Sequence, residues 1–201
     1  MRTRLIEVRN IDAPIIAEAG EMIRYGKLVA FPTETVYGLG ANAFDPNAVR
    51  SIFDVKQRPN NKPLSMHVAS VEMIEQVAVI SAVAERLIKK FLPGPLTLIL
   101  PSRSSNSTVG IRMPDNEIAL ALIRAASVPI AAPSANISGH SAPRSAAEVL
   151  AELDGKIPLI LDGGDCRIGI ASTIVDVTSD KLKIIRAGSI TKEAIDDAIN
   201  S

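Results

Sequence analysis

Four side chains able to carry positive charge crowd one short stretch, Lys56-Gln57-Arg58-Pro59-Asn60-Asn61-Lys62-Pro63-Leu64-Ser65-Met66-His67, with no acidic residue among them. An arginine can grip two phosphate oxygens at once, while a lysine supplies a compact point charge. A solvated basic helix end, favoured by the helix dipole, accounts for Lys56 alone. Pro59 and Pro63 stiffen the backbone and fix where Arg58 and Lys62 point. The spacing therefore predicts a strongly anionic ligand, with phosphate as the leading chemistry.

Polar residues also gather where apolar runs stop. Thr33, Glu34 and Thr35 follow "LVAFP", Ser134 and Asn136 follow "PIAAP", and Ser172-Thr173 opens "STIVDV". In open α/β sheets ligands bind beside strand ends, although Ser, Thr and Asn also serve as turn and cap residues there. Arg112 lies inside the apolar "GIRMP"; if buried it needs an anion, either a ligand carboxylate or a protein carboxylate such as Asp115. His67, neutral, offers one donor and one acceptor.

The elements that must position these groups alternate along the chain. Asp12 and Pro14 open an amphipathic helix that Gly26 ends, with Ile15, Ile16, Ala19, Met22 and Ile23 on one face. "LVAFPT" reads as a buried strand, and Asp45-Pro46 starts a second helix that Pro59 stops. "PLSMHV", "LTLIL", "VGIRM" and "VPIAAPSA" read as further strands, with helices over 71–79, 81–91 and about 116–126. Ser145 with Glu148 predicts a capping box. "IPLILDGG", "STIVDVT" and "KLKIIRAG" close the sheet, the last two as a hairpin, and Thr191 caps a final short helix. One α/β domain with a mixed, twisted sheet follows.

Several chemistries are excluded. Gly20 to Lys27 has one residue too many for a phosphate-binding Walker loop and sits within a helix, and the helix after Gly38-Leu39-Gly40 starts too late for a dinucleotide fingerprint. No nucleophile elbow or zinc-protease motif is present. Cys166 is the single cysteine, so neither a disulfide nor a cysteine-built zinc site can form within the chain. Lys+Arg and Asp+Glu both total 22, and this balance argues against a protein that coats nucleic acid or is drawn to anionic membranes. The start "MRTRLIEVRN" carries charge too early for a signal peptide, and no run approaches the ~20 apolar residues of a membrane span. A cytoplasmic protein is expected.

The blocks "FPTETVYGLGANAF", "IFDVKQRPNNKPLSMHV", "PGPLTLIL", "VGIRMPDN", "APSANISGHSAP" and "STIVDV…IIRAG" occur in one order and spacing. From about Leu5 to Gly188 the chain resembles the YrdC-like family, and within it the short branch of threonylcarbamoyl-AMP synthases. The resemblance implies an α/β fold in which a twisted mixed sheet, with helices packed around it, carries an open basic cavity. It places that domain at 5–190, with 191–201 as a short C-terminal helix and no second domain. It also implies a nucleotidyltransferase that joins L-threonine, bicarbonate or CO2 and ATP into threonylcarbamoyl-AMP and pyrophosphate, for t6A biosynthesis in tRNA. Mg2+ is expected with the ATP and no protein metal ligands. The product would pass to a tRNA threonylcarbamoyl-transferase complex, with at most weak direct tRNA contact.

By the family's pattern, Thr35, His67, Arg112, Ala132 and Ser172 hold L-threonine. Lys56, Arg58, Lys62, Thr108, Ser134, Asn136, Ala142 and Arg186 meet ATP, with Lys56 and Arg58 as the catalytic pair. Two departures stand out: Ala142 replaces a residue often polar in relatives, and Ala187 replaces a proline. The rival readings are the carbamoyl-adenylate chemistry of hydrogenase maturation and a structured-RNA binder without adenylate-forming activity. The latter would bind with a steep salt dependence and without need of threonine.

Overall fold

Short polar side chains decide where most helices begin. The computed structural model describes residues 2–11, 13–179 and 181–200. Its helices are α1 (Pro14–Arg24), α2 (Pro46–Lys56), α3 (Val71–Val77), α4 (Ala82–Phe91), α5 (Glu117–Ala126), α6 (Ala146–Leu153) and α7 (Lys192–Asn200). The side chains of Asp45, Ser70, Ser81, Asn116 and Ser145 each accept a first-turn N–H of the helix that follows, satisfying donors a helix start otherwise leaves open. The expected capping box forms only in half: Ser145 Oγ accepts from Glu148 N, but Glu148 Oε2 accepts from Arg144 N. Asp12, expected to open α1, lies outside the described residues; Ala13 leads into that helix without a side-chain cap.

The strands are β1 (Arg4–Glu7), β2 (Val29–Phe31), β3 (Gly38–Asn42), β4 (Ser65–His67), β5 (Leu96–Pro101), β6 (Thr108–Arg112), β7 (Ile130–Ala131), β8 (Leu159–Asp162), β9 (Thr173–Asp176) and β10 (Lys183–Arg186). They join one sheet in the order β1-β8-β2-β3-β7-β4-β6-β5-β9-β10. Four neighbouring pairs are parallel: β1–β8, β2–β8, β4–β6 and β5–β9. The others are antiparallel, including the predicted β9–β10 hairpin. The segment "IPLILDGG" does not close the sheet; it becomes β8, inserted between β1 and β2 at the opposite end from the hairpin.

Strand alternation divides the core. Val29 and Phe31 turn to a cluster with α1 and α5, while Leu28 and Ala30 turn to one with α2 and α6. Leu159 and Leu161 part from Ile160 in the same way. At the far end Leu96, Leu98 and Leu100 of β5 and Ile111 of β6 pack with α3, α4 and α7. Their alternates, Thr97 and Arg112, must face the other side of the sheet, and that face carries the site.

Helix α1 crosses α5 closely at Gly20. A Cβ placed there would lie 2.6 Å from the Ala125 carbonyl carbon and Cβ. Gly20→Ala should therefore destabilise the protein by about 1–2 kcal/mol, overlap outweighing alanine's better helix propensity. A urea midpoint unchanged or raised would contradict this packing. No helix among the described residues is long and apolar enough to cross a membrane.

Candidate active site

A cleft of about 320 Å³ opens over the face of the sheet that β5 and β6 leave to Thr97 and Arg112. Its floor follows from period two. Ser65 and His67 of β4 point into it while Met66 packs the other way, and Thr97 faces it between Leu96 and Leu98. Parallel pairing sets His67 beside Arg112. Thr33, Pro133, Ser134, Ala171 and Ser172 supply the rim from segments that follow β2, follow β7 and precede β9. Among the described residues no carboxylate lines the cleft, whereas Arg58, Arg112 and Arg186 all do.

Of the residues expected to hold an amino acid, His67, Arg112, Ala132 and Ser172 line this cleft, and Thr35 stands directly behind them. Thr35 is fully buried, and a chain of hydrogen bonds fixes it. Arg112 Nη2 donates to Thr35 Oγ1 at 2.8 Å, the Thr35 hydroxyl reaches Thr33 Oγ1 at 2.9 Å, and the Thr33 hydroxyl donates to Val36 O at 2.6 Å. His67 packs edge-on to Phe31, ring centroids 6.1 Å apart. Burial, then the charge of Arg112, push its pKa down to about 3, so it is a neutral ring across the physiological range. Ser172 Oγ lies 2.8 Å from Thr97 Oγ1 and accepts from Arg186 Nη2 at 3.1 Å.

Arg112 does find a protein carboxylate, but not Asp115. Its Nη2 lies 2.8 Å from Glu34 Oε2, both side chains being buried. Asp115 instead pairs with Arg167 at 2.5 Å on the surface. The Glu34 contact is off the hydrogen-bonding direction: both Glu34 oxygens, Arg112 Nε and His67 Nδ1 lack hydrogen-bond partners.

The polyphosphate set divides. Arg58, Ser134, Ala142 and Arg186 line the cleft; Lys56, Lys62, Thr108 and Asn136 do not. Arg58 is half-buried, its guanidinium donating to Lys62 O at 3.4 Å and Pro63 O at 3.1 Å, with no acidic partner. Lys62 and Thr108 are exposed away from the cleft, so the expectation that Pro63 would aim Lys62 inward is corrected.

Lys56 is 1% exposed. Its ammonium donates to Ser134 O at 2.5 Å and to Asn136 O, and reaches Asn136 Oδ1 at 3.5 Å. In this structure Lys56 therefore braces the Ser134–Asn136 turn. Asn136 is likewise occupied: both hydrogens of Nδ2 go to Ile137 O and His140 O, and Oδ1 accepts from the Ser134 hydroxyl. Both amide hydrogens of Asn136 are thus taken within its own turn, which leaves it no free donor to offer a nucleotide in this structure. Ser65 and Thr97 were not foreseen, yet the alternation of "LSMHV" and "LTLIL" carried the signal.

Residues 21–188 match the model of the Sua5/YciO/YrdC family, described as "Telomere recombination". The threonylcarbamoyl-AMP synthase of Pyrococcus abyssi is 50% identical over 207 residues, 98% of this chain and 61% of that protein. The Bacillus subtilis protein of the same name is 46% identical, over 94% of this chain and 58% of its own length. The crystal structure of P. abyssi Sua5 complexed with L-threonine superposes with a TM-score of 0.95 at 49% identity, covering 98% of this chain and 61% of that one. The chain thus spans about three fifths of the length of these relatives. With a family model over most of its residues and relatives 46–50% identical over nearly all of it, the chain belongs to the Sua5/YciO/YrdC family.

Proposed function

We propose that the protein is an L-threonylcarbamoyladenylate synthase. The observation that carries this reading is a cleft with two unlike ends. One end has Arg58, without an acidic partner, near the Ser134 turn that Lys56 braces; the other has Arg112, neutral His67 and the hydroxyls of Ser172 and Thr97, with Arg186 held against Ser172. A polyphosphate suits the first and a small hydroxy amino acid the second. The name of the P. abyssi relative, and its structure with L-threonine, support the same assignment.

The reaction then follows without a protein nucleophile. Cys166 is buried and burial pushes its thiol up to about 11, far from thiolate. The neutral threonine amine adds to CO2 and gives up a proton, or condenses with bicarbonate with loss of water, and becomes a carbamate. A carbamate oxygen attacks the α-phosphorus of ATP, and the bond to the β-phosphate oxygen breaks with its electron pair leaving on pyrophosphate. Arg58 and Arg186 hold the departing charge in place, and proximity with charge stabilisation supplies the catalysis.

Among the described residues no group of three or more His, Cys, Asp or Glu stands together. Magnesium enters this proposal as part of the substrate, carried by the ATP phosphates and water. The product is an activated carbamoyl donor for adenosine in tRNA, handed to a threonylcarbamoyl transferase.

Pyrophosphate release measured with ATP, L-threonine and bicarbonate, omitting each in turn, tests the reading. Release should require all three; release indifferent to threonine would overturn it.

Lys56 adds a pH signature. Burial, then repulsion from Arg58, lower its pKa from 10.5 to about 8, against an opposing pull from Glu152. Its ammonium lies under the phosphate end, so ATP affinity should fall as pH rises through about 8, by up to about tenfold per unit. The same shift makes this group's stability contribution rise with pH between about 8 and 10.5, because the unfolded chain holds the proton longer. Calorimetric titration from pH 7 to 9.5 should show the decline in the wild type and lose it in Lys56→Arg. A flat wild-type profile would refute the link.

A further inference from the structure

Resting on that reading, we propose that Glu34 sets the charge at the amino-acid end of the cleft and so selects a zwitterionic amino acid over the same acid lacking its amine. Glu34 is 2% exposed and lies behind the lining residues rather than among them. Its carboxylate sits 2.8 Å from Arg112 Nη2, yet neither oxygen receives a hydrogen bond. A carboxylate present only to anchor an arginine would take the two parallel bonds of the guanidinium fork. Arg112 instead spends a donor on Thr35 and leaves Nε without a partner, and His67 Nδ1 beside it is equally bare.

Burying an anion without donors is costly. The chain keeps one next to a cleft whose own lining has three arginines and no acid. What Glu34 contributes there is its charge. Arg112 and Arg186 alone would favour any small anion, including a simple hydroxy acid. Glu34 cancels one of those charges and supplies a negative potential for an incoming ammonium, across a poorly screened interior. The Thr33–Thr35 turn holds it there: the carbonyls of Glu34 and Thr35 accept from the backbone N–H groups of Ile168 and Gly169. Glu34 is thus a positioning and specificity residue that acts through Arg112.

The test is calorimetric binding of L-threonine and of 3-hydroxybutyrate, which lacks the amine, to the wild type, Glu34→Gln and Glu34→Asp without ATP. The wild type should prefer threonine. Glu34→Gln should shift the preference about tenfold toward 3-hydroxybutyrate, with that acid bound more tightly than by the wild type; Glu34→Asp should keep the wild-type order. A structural role alone would weaken both ligands together, and a Gln variant that does so overturns the proposal while leaving the synthase reading intact. A wild type that binds no threonine overturns both. Should Glu34→Gln not fold, Glu34→Ala, which admits water beside Arg112, gives the same uncharged comparison.

Discussion

Arg58→Ala should slow threonine-dependent pyrophosphate release by about a hundred- to a thousandfold, the effect of removing one preorganised charge donor from a transition state, while the protein stays folded. Arg58 is the one basic side chain between residues 56 and 63 that lines the cleft. Its protein partners are two carbonyls of its own loop, so no core element depends on it. Its pKa is lowered by burial, which marks a cation partly stripped of water. Lysine at this position should recover only part of the loss, because a point charge cannot span two phosphate oxygens. Steady-state rates beside thermal melts of the same variants decide the matter. A folded Arg58→Ala enzyme at near wild-type rate would remove the polyphosphate from this end of the cleft.

Arg112→Ala should act on the fold as much as on binding. It strips Glu34 of the guanidinium 2.8 Å away, and breaking a buried pair in this way costs about 3–5 kcal/mol. Against a total stability on the order of 5–15 kcal/mol, the loss is large. Asp115→Ala is the contrast: its pair with Arg167 is exposed, and such pairs contribute about 0–1 kcal/mol. Urea unfolding of the two variants, with Glu34→Gln/Arg112→Met as a neutral replacement of the pair, measures the difference. The double variant should be more stable than Arg112→Ala although it has lost more native groups. If Arg112→Ala unfolds at the wild-type midpoint, the pair is not holding this corner.

How much of this was legible beforehand depended on how local each signal was. Helix starts were readable because a cap needs only its next three residues, as at Ser70, Ser81 and Asn116. Strand β1 was missed: it is four residues long and made by pairing with β8, Arg4 opposite Leu159. Strand β3 was missed because glycines inside a strand read as a turn. Its glycines serve packing, since a Cβ on Gly40 would lie 2.8 Å from Ile130 and 2.9 Å from Phe31.

The site shows the same division. That Arg58 and Ser134 would line one cleft follows from the family resemblance, with the strand-end rule pointing to Ser134 as well. That Lys56 would turn inward to two carbonyls was invisible, because its partners are backbone atoms about eighty residues away. The partner of Arg112 was misjudged for a related reason. Asp115 is near in sequence, but β6 sends Arg112 to the cleft face, where the turn after β2 brings Glu34.

A crystal structure with a non-hydrolysable ATP analogue and L-threonine bound tests the central claim most directly. The phosphates should lie within hydrogen-bond reach of Arg58 and Arg186, with the amino acid between His67, Arg112 and Ser172 and its nitrogen side toward the α-phosphorus. Phosphates found outside this cleft, with Arg58 facing only water, would contradict the account.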